Sequence, residues 1–205
     1  MFTGIVRAIG EVVQIGQAGE GARLVIGVRN QALRFARGSS VSINGSCLTV
    51  ARRQSGRYAF DLSEETVLRT TLGGLTVGER VNLEPALKMR DELGGHFVSG
   101  HVDGVGTIVR MEPRGECIEL EIELPESLMR WIAVKGSVAI DGVSLTVNTV
   151  GHGTLAVMLI PYTLAHTLAR FYTVGQRVNL ETDLLARYLD RLQMSHPVSV
   201  PEGTP

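Results

Sequence analysis

The sequence lacks the features that would connect it to a membrane or to nucleic acid. No run among its 205 residues approaches the roughly 20 consecutive apolar residues that cross a bilayer. The net charge is −1 and no stretch is rich in lysine or arginine, so little is available to neutralise phosphates. We therefore expect no membrane span and no nucleic-acid partner.

Cysteine is also scarce. The chain has two cysteines, Cys47 and Cys117, in no metal-ligand spacing, and a chain of this size with an ordinary core needs no disulfide. The first residues lack the apolar core and cleavage site of a signal peptide. We expect a cytoplasmic protein with two free thiols and no bound metal.

The strongest signal that is present is an internal repeat. Residues 76–84, Thr-Val-Gly-Glu-Arg-Val-Asn-Leu-Glu, recur 97 positions later as residues 173–181, with Gln in place of the first Glu. The same shift lays residues 43–50 on residues 140–147. Two copies of this length are better explained as two domains than as units of a solenoid.

The repeat predicts where the domains divide. The polar segment 88–96, which contains a Gly-Gly pair, suits a linker. The first domain is therefore predicted over residues 1–96 and the second, with a C-terminal helix, over residues 97–193. Residues 194–205 are rich in proline and small polar residues, which predicts a disordered tail.

Hydrophobicity alternates with a period of two within each copy. Leu24, Ile26 and Val28 alternate with polar or small residues, and residues 118–124 alternate Ile or Leu with Glu. This pattern indicates strands with one buried face. Five or six short strands in each copy predict an all-β fold of two closed barrels, since closure removes the exposed edges of so small a sheet.

Helical spacing is confined to a few segments. Residues 125–132 and 65–70 show it briefly, and the longest helix is predicted at the C-terminus, with Thr182 as N-cap and Asp183 in the first turn. An apolar stripe follows on this helix, formed by Leu184, Leu185, Tyr188, Leu189 and Leu192. Because both barrels are already closed, we expect this stripe to pack on another subunit.

Several motifs together resemble the riboflavin synthase family over residues 1 to about 193. They are Met1-Phe-Thr-Gly-Ile-Val6, Asn44-Gly-Ser-Cys-Leu-Thr-Val50, the glycine- and histidine-rich stretch 94–104, residues 135–147 and the paired Val-Asn-Leu-Glu segments. The resemblance implies tandem six-stranded Greek-key barrels that bind lumazine, a C-terminal helix that assembles a homotrimer, and no cofactor or metal. It also makes lumazine synthase a candidate partner.

The reaction of this family is a dismutation. Two molecules of 6,7-dimethyl-8-ribityllumazine give one riboflavin and one 5-amino-6-ribitylamino-uracil by transfer of a four-carbon unit. Two identical substrates with different fates need two similar pockets that differ in detail. The copies differ at the pairs Cys47 and Ser144, Asn44 and Asp141, Ile5 and His101, and Glu65 and Tyr162. The resemblance puts each productive site between the N-terminal barrel of one subunit and the C-terminal barrel of its neighbour.

The resemblance implies five catalytic candidates: Cys47, His101, Ser144, Thr146 and Asp183. Cys47 would transfer a proton or add transiently to the electrophilic C7 of a lumazine, and His101 would carry protons at the acidic C7 methyl. Ser144 and Thr146 are two residues apart and would share one strand face. From the residues alone, a structural thiol, hydroxyls bonded to their neighbours, and a helix-start charge at Asp183 are the plainer interpretations.

The resemblance also assigns residues to substrate binding. They are Gly4, Ile5, Val6, Cys47, Leu48, Thr49, Asp61, Leu62, Ser63, Glu64, Glu65, Thr66, Gly100, His101, Val102, Lys135, Ser144, Leu145, Thr146, Met158, Leu159, Ile160, Pro161, Tyr162 and Thr163. Ordinary packing at the ends of strands is the alternative for these positions.

Two histidines frame a glycine-rich stretch. His96 and His101 are five residues apart, which fits neither one helix face nor one strand face and argues against a shared metal. Their glycine neighbours indicate a loop where the main chain can approach a flat ligand closely. For His96, a structural and a functional role are equally open.

Two other functions are compatible with the repeat. One is a fluorescent or antenna protein that holds lumazine without converting it, and the other is a structural barrel whose repeat serves assembly. Retention of Cys47, Ser144 and both histidines favours the enzyme.

Overall fold

The strands of the computed structural model, which describes residues 1–28 and 33–195, form two closed antiparallel barrels of six strands each. The first barrel contains β1 (Ala8–Ala18), β2 (Gly21–Val28), β3 (Ser40–Ile43), β4 (Ser46–Gln54), β5 (Arg57–Leu62) and β6 (Arg80–Pro85). The second contains β7 (Gly104–Arg114), β8 (Cys117–Glu123), β9 (Ser137–Ile140), β10 (Val143–Val150), β11 (Thr154–Leu159) and β12 (Arg177–Thr182). Around the first barrel the order is β1-β2-β5-β4-β3-β6, and the second has the equivalent order. The predicted fold class is confirmed.

The alternation of the sequence separates the inside of each barrel from its outside. In β2, Leu24 and Ile26 are fully buried, whereas Arg23, which comes directly before Leu24, is exposed. Both barrels also bend at equivalent places, since the strand register shifts after Val12 in β1 and after Ile108 in β7. A β-bulge increases the local twist, which lets strands of this length close a small barrel.

The two barrels meet through the tips of equivalent hairpins. Asn44-Gly45 joins β3 to β4, Asp141-Gly142 joins β9 to β10, and all four residues have positive φ. A Cβ atom on Gly142 would lie 2.7 Å from the backbone nitrogen of Gly45. The turns can pack this closely only because each has glycine at its second position.

The asparagine of each Val-Asn-Leu-Glu motif links one barrel to the other. Asn82 Nδ2 donates to the Asp141 carbonyl at 2.9 Å, and Asn179 Nδ2 donates to the Asn44 carbonyl at 2.7 Å. The Oδ1 atoms accept backbone N–H groups from the opposite repeat at 2.9 and 2.7 Å. Both asparagines are buried, so these four bonds satisfy polar groups that water does not reach.

The chemical difference between the two turns is Asn44 against Asp141. Asn44 Oδ1 accepts from the backbone of Asn82 at 2.7 Å, and Asp141 Oδ1 accepts from the backbone of Asn179 at 2.8 Å. Asp141 Oδ2 also accepts from the Tyr172 hydroxyl at 2.9 Å. Both turn side chains are buried in the contact between the barrels. The pair thus serves the contact between the barrels, and its expected role in distinguishing two ligand pockets stays a prediction.

Among the described residues, three short α-helices lie between strands, and 3-10 turns at Thr71–Gly74 and Leu168–Phe171 follow two of them. α1 (Glu64–Arg69) and α3 (Pro161–His166) follow β5 and β11 at equivalent positions, and α1 agrees with the predicted turn or two of helix. α2 (Glu126–Met129) is shorter than the helix predicted over 125–132. Beyond Met129 the backbone bonds reach only three residues back, as in a 3-10 turn, from Trp131 to Leu128 and from Ile132 to Met129.

The longest helix of the described residues is α4 (Leu184–Ser195), as predicted, but it begins one residue later than expected. Asp183 is its N-cap, because Oδ1 accepts from the Leu185 backbone at 2.9 Å. Thr182 stays in β12, where its backbone and hydroxyl both donate to Asp103 at 2.8 Å.

One face of α4 has no partner within the described chain. The exposed apolar side chains on it are Leu185, Tyr188, Leu189 and Leu192. The opposite face is anchored by Asp190, which accepts hydrogen bonds from Arg130 and from Trp131 Nε1. Of the predicted tail, Met194 and Ser195 belong to α4, and residues 196–205 lie outside the described residues. Across the described ranges, no helix is long and apolar enough to span a bilayer.

Because the Asp141 carboxyl is buried, we predict that the stability of the folded chain depends on pH. Burial raises its pKa from 3.8 to about 7, so between these values the unfolded chain releases a proton that the folded chain keeps. The free energy of unfolding should therefore fall as pH rises from about 4 to about 7, by roughly 1.4 kcal/mol for each unit of pKa difference. Asp141→Asn, which reproduces the first repeat, should remove the Asp141 contribution to this fall and be more stable than wild type above pH 7.

Urea unfolding across this pH range tests the prediction. The converse change, Asn44→Asp, is the matched control and should add a second pH-dependent loss at the equivalent turn. A wild-type stability that stays level between pH 4 and pH 7 would contradict the assignment.

Candidate functional site

The glutamate of each Val-Asn-Leu-Glu motif holds a short segment that leads into its own barrel. We call Thr3–Gly4 and Ser99–Gly100 the leading segments. Glu84 accepts from both backbone N–H groups of Thr3–Gly4, at 2.7 and 3.0 Å, and from the Thr3 hydroxyl at 2.9 Å. Glu181 does the same for Ser99–Gly100, with backbone distances of 2.6 and 2.9 Å and a hydroxyl distance of 2.6 Å. Burial raises the pKa of both carboxyls, and these hydrogen bonds act against that rise.

Each leading segment contacts the candidate side chain of the opposite repeat. The Ser144 backbone donates to the Gly4 carbonyl at 2.8 Å, and the Cys47 backbone donates to the Gly100 carbonyl at 2.8 Å. Both glycines have positive φ, and a Cβ on either would lie 2.6 Å from the Cβ of its partner. Glycine is required here for both backbone conformation and space.

The paired candidates on β4 and β10 share a strand face, as their spacing predicts. Cys47 and Ser144 are half-buried, and Thr49 and Thr146 are exposed on the outer surface of the barrels. The residues between them, Leu48 and Leu145, point their side chains into the two apolar cores. Of these substrate-binding candidates, the leucines can therefore reach a ligand on the outer face only through their backbone.

We name Cys47, Gly100 and His101 the Cys47 cluster. The Cys47 side chain packs against a small apolar group drawn from both repeats, formed by Phe2, Val98 and Ala139. His101 is exposed directly after Gly100, and its backbone donates to the Ser99 hydroxyl at 3.3 Å. The backbone bond between Cys47 and Gly100 joins the thiol-bearing strand of the first repeat to the segment of the second repeat that carries His101.

We name Ser144, Gly4, His96 and Asp183 the Ser144 cluster. His96 Nδ1 lies 2.7 Å from Ser144 Oγ, and His96 Nε2 is buried with no hydrogen-bond partner among the described residues. Burial lowers the pKa of His96, and the negative charge of Asp183 acts against that shift. A neutral imidazole beside a hydroxyl can take up its proton, and a nearby carboxylate stabilises the imidazolium that forms.

The repeat itself matches a known domain. A family described as the lumazine binding domain matches residues 3–86 and again residues 99–183. A riboflavin synthase from Mycobacterium tuberculosis is 42% identical over 199 residues, which cover 95% of this chain and 99% of that protein. One from Bacillus subtilis is 37% identical over 191 residues, covering 93% and 89%. The chain belongs to the riboflavin synthase family.

Solved structures extend the likeness to ligand-bound proteins. LumP complexed with riboflavin superposes with a TM-score of 0.82 at 26% identity, covering 89% of this chain and 99% of that one. LumP complexed with 6,7-dimethyl-8-(1'-D-ribityl) lumazine gives a TM-score of 0.80 at the same identity and coverage. The tandem barrels of this riboflavin synthase family member are thus shared with a protein solved with bound flavin and bound lumazine.

The remaining family-matched segments lie where β5 meets α1 and where β11 meets α3. Residues 61–66 and 158–163 are exposed or half-buried, apart from two leucines that belong to the barrel cores, Leu62 and Leu159. Asp61 pairs with Arg23 at 2.7 Å. At equivalent positions of α1 and α3, Glu65 pairs with Arg69 at 3.1 Å, whereas Tyr162 stacks on His166 with ring centroids 4.0 Å apart. The same two positions thus present an ion pair in one repeat and an aromatic stack in the other.

Lys135 occupies a backbone position that favours glycine. Its φ is +68°, and its repeat counterpart is Gly38 with a φ of +82°. Both residues donate their backbone N–H to the equivalent strand, to Val147 and Val50 respectively. A lysine in this conformation costs about 1 kcal/mol relative to glycine, so an exposed lysine side chain stands at a position where folding alone favours glycine.

Three residues of the candidate site were not assigned a role from the sequence: His96, for which a structural and a functional role were both left open, and the two repeated glutamates. His96 lies before the second copy begins, so it has no counterpart in the first copy against which it could be compared. Glu84 and Glu181 were identified as repeated residues, but their partners are 80 to 82 positions away in sequence. Cys117, by contrast, begins β8 as a strand residue, as predicted, and both cysteines are free.

The contact between Gly100 and Cys47 predicts a specific cost of substitution. Gly100→Ala should lower the free energy of unfolding by about 1 kcal/mol for the positive φ and a further 1–3 kcal/mol for the clash with Cys47. Gly38→Ala is the matched control, because Gly38 has the same φ of +82° and no atom within 4 Å of its added Cβ. Urea unfolding of both variants measures the difference, and equal losses would contradict the close contact.

Proposed function

We propose that this chain converts two molecules of 6,7-dimethyl-8-ribityllumazine into riboflavin and 5-amino-6-ribitylamino-uracil by transferring a four-carbon unit. The observation that carries the proposal is the pair of clusters with equivalent backbones and different side chains. Cys47 stands in one where Ser144, bonded to His96, stands in the other. Two copies of one substrate would therefore meet different chemistry, as a reaction with one donor and one acceptor requires.

The relatives support conversion over binding alone. Identity to the named riboflavin synthases is 37–42% over more than nine-tenths of this chain, whereas identity to LumP is 26%. The ligands in the LumP complexes, riboflavin and a ribityllumazine, are the product and substrate types of the proposed reaction.

We assign proton transfer to the Ser144 cluster. The neutral His96 ring would take the Ser144 hydroxyl proton through Nδ1, while the serine oxygen removes a proton from the acidic C7 methyl of a bound lumazine. Asp183 would stabilise the imidazolium that results. Thr146, exposed on the same strand face as Ser144, would donate a hydrogen bond to the ligand.

We assign the Cys47 cluster to the second lumazine. The Cys47 side chain would add through sulfur to the electrophilic C7 carbon, with its proton passing to the solvent, or would transfer a proton to or from the ligand; its backbone is fixed by the Gly100 carbonyl. His101, exposed beside it, would exchange protons with the ligand and the solvent. Lys135 and the binding segments 61–66 and 158–163 would hold the ribityl chains and ring edges.

We propose that the working form is a homotrimer, in which the N-terminal barrel of one subunit faces the C-terminal barrel of its neighbour. Support comes from the exposed apolar stripe of α4 and from the exposure of Thr49, Thr146 and His101 on outer barrel surfaces. Domain limits of 1–96 and 97–193 agree with strands that end at Pro85 and resume at Gly104. A cytoplasmic location and association with lumazine synthase stay predictions.

The test of the function is direct. The purified chain should turn 6,7-dimethyl-8-ribityllumazine into riboflavin, which is followed by the growth of riboflavin absorbance without added cofactor. A protein of the LumP kind would bind the lumazine and change its fluorescence but form no product. An assembled, folded sample that forms no riboflavin would therefore refute the enzymatic proposal.

The Ser144 cluster predicts a change in the pH profile. His96→Gln keeps a polar side chain but removes the base, so turnover should fall by about 100-fold. Because the pKa of His96 is lowered, the wild-type rate should decline only in acid, where the ring becomes protonated, and the variant should lose this acidic limb. Ser144→Ala should cost about as much, with little further loss in the double variant.

Turnover rates of wild type and variants, measured between pH 5 and pH 8, test whether His96 is the base. Cys47→Ser, in the other cluster, is the comparison variant and should retain the acidic limb. If His96→Gln keeps that limb, His96 is not the base.

A further inference from the structure

A single arginine connects helix α4 to the segment that carries His101. Arg187 Nη1 donates to Asp103 Oδ1 at 3.0 Å, and Nη2 lies 3.5 Å from Ser99 Oγ and 3.8 Å from Glu181 Oε1. The Arg187 side chain is 23% exposed, and the two carboxylates are 9% and 2% exposed. The guanidinium therefore lies in a largely dry position between two acidic groups.

Those two carboxylates hold both ends of the segment Ser99–Asp103. Glu181 accepts the hydrogen bonds of Ser99 and Gly100 at the first end. Asp103, at the other end, accepts from the backbone and hydroxyl of Thr182. Two buried carboxylates in this proximity repel each other and are costly to desolvate unless a cation lies between them. Arg187 supplies that cation from the first turns of α4.

The first repeat has no equivalent of this arrangement. The residues that align with Asp103, Thr182 and Arg187 are Arg7, Pro85 and Arg90. Arg90 is exposed, and the chain beyond Pro85 continues as linker where the second repeat continues as α4. Thr3–Gly4 is therefore held by Glu84 without a helix behind it, whereas Ser99–Gly100 is held by a glutamate that a helix neutralises.

We propose that Arg187 is a positioning residue for the Cys47 cluster. By pairing with Asp103 and Glu181, it couples the docking of α4 to the conformation of Ser99–Asp103, and so fixes Gly100 against Cys47 and sets the place of His101. It does not touch the reacting atoms. The proposal rests on the proposed function, and it links the helix expected to assemble the trimer with one of the two substrate sites.

Hydrogen exchange tests the coupling without any ligand. In full-length Arg187→Met, the Ser99 and Gly100 amides should exchange at least tenfold faster than in wild type, because Glu181 loses its neutralising partner. The Thr3 and Gly4 amides, held in the same way by Glu84, should keep their wild-type rates and serve as an internal control. Arg90→Met, at the aligned position, should change neither pair. Equal acceleration of both pairs would indicate general destabilisation and overturn the proposal.

Lumazine binding and turnover test whether Arg187 affects the substrate site of the Cys47 cluster. Titration with 6,7-dimethyl-8-ribityllumazine should give Arg187→Met one site of wild-type affinity and one weakened at least tenfold, with kcat reduced by a similar factor and an unchanged mass in sedimentation. Arg187→Lys keeps the charge without the forked geometry and should recover part of both losses. If the Met variant does not fold, the Lys variant takes its place in both measurements.

Different results would refute the proposed function and the role of Arg187. A wild-type chain that binds no lumazine refutes the proposed function, whatever the exchange rates show. A wild-type chain that turns over, with Arg187 variants that match it in exchange, affinity and kcat, refutes the role of Arg187 alone.

Discussion

Both candidate clusters depend on the hydrogen bonds that the two Val-Asn-Leu-Glu motifs make to the hairpin turns and to the segments that lead into the barrels. Asn82 and Glu84 are two residues apart on β6, as Asn179 and Glu181 are on β12, so each pair lies on one strand face. The asparagine binds the turn of the opposite barrel, and the glutamate binds the leading segment of its own. Because all four side chains are buried, loss of any one partner would leave an unsatisfied polar group inside the protein.

Because both clusters share this backbone arrangement, their chemical differences come from side chains that take no part in it. Cys47 and Ser144 occupy equivalent places and differ in acidity and nucleophilicity. Outside them, an ion pair in α1 corresponds to an aromatic stack in α3, and Gly38 corresponds to Lys135. The second repeat alone continues into α4 and gains Arg187. The duplicated parts hold the geometry, and the differences between the copies determine what each cluster can do.

Much of the fold could be predicted because its signals are local. Strands such as β2 and β8 follow from a period of two, and the glycines of the two hairpin turns follow from their Asn-Gly and Asp-Gly sequences. The helix predicted over 125–132 was too long because helical spacing does not reveal where bonding changes to a 3-10 turn. The contact of Asn44 and Asp141 with the opposite barrel was not predicted because nothing local shows whether a turn faces a ligand or another barrel.

The sequence by itself determined the duplication, the two closed barrels, the pairing of Cys47 with Ser144 as equivalent positions, and the family. The first three follow from periodicity and self-comparison, which need only neighbouring residues or a fixed shift, and the family follows from the resemblance of its motifs. Only the tertiary structure decided that each leading segment contacts the opposite repeat, that His96 bonds to Ser144, and that Arg187 lies between Asp103 and Glu181. Apart from that between Arg187 and Glu181, those contacts join residues 48 to 140 positions apart, and burial and charge neutralisation select them only once both barrels have closed.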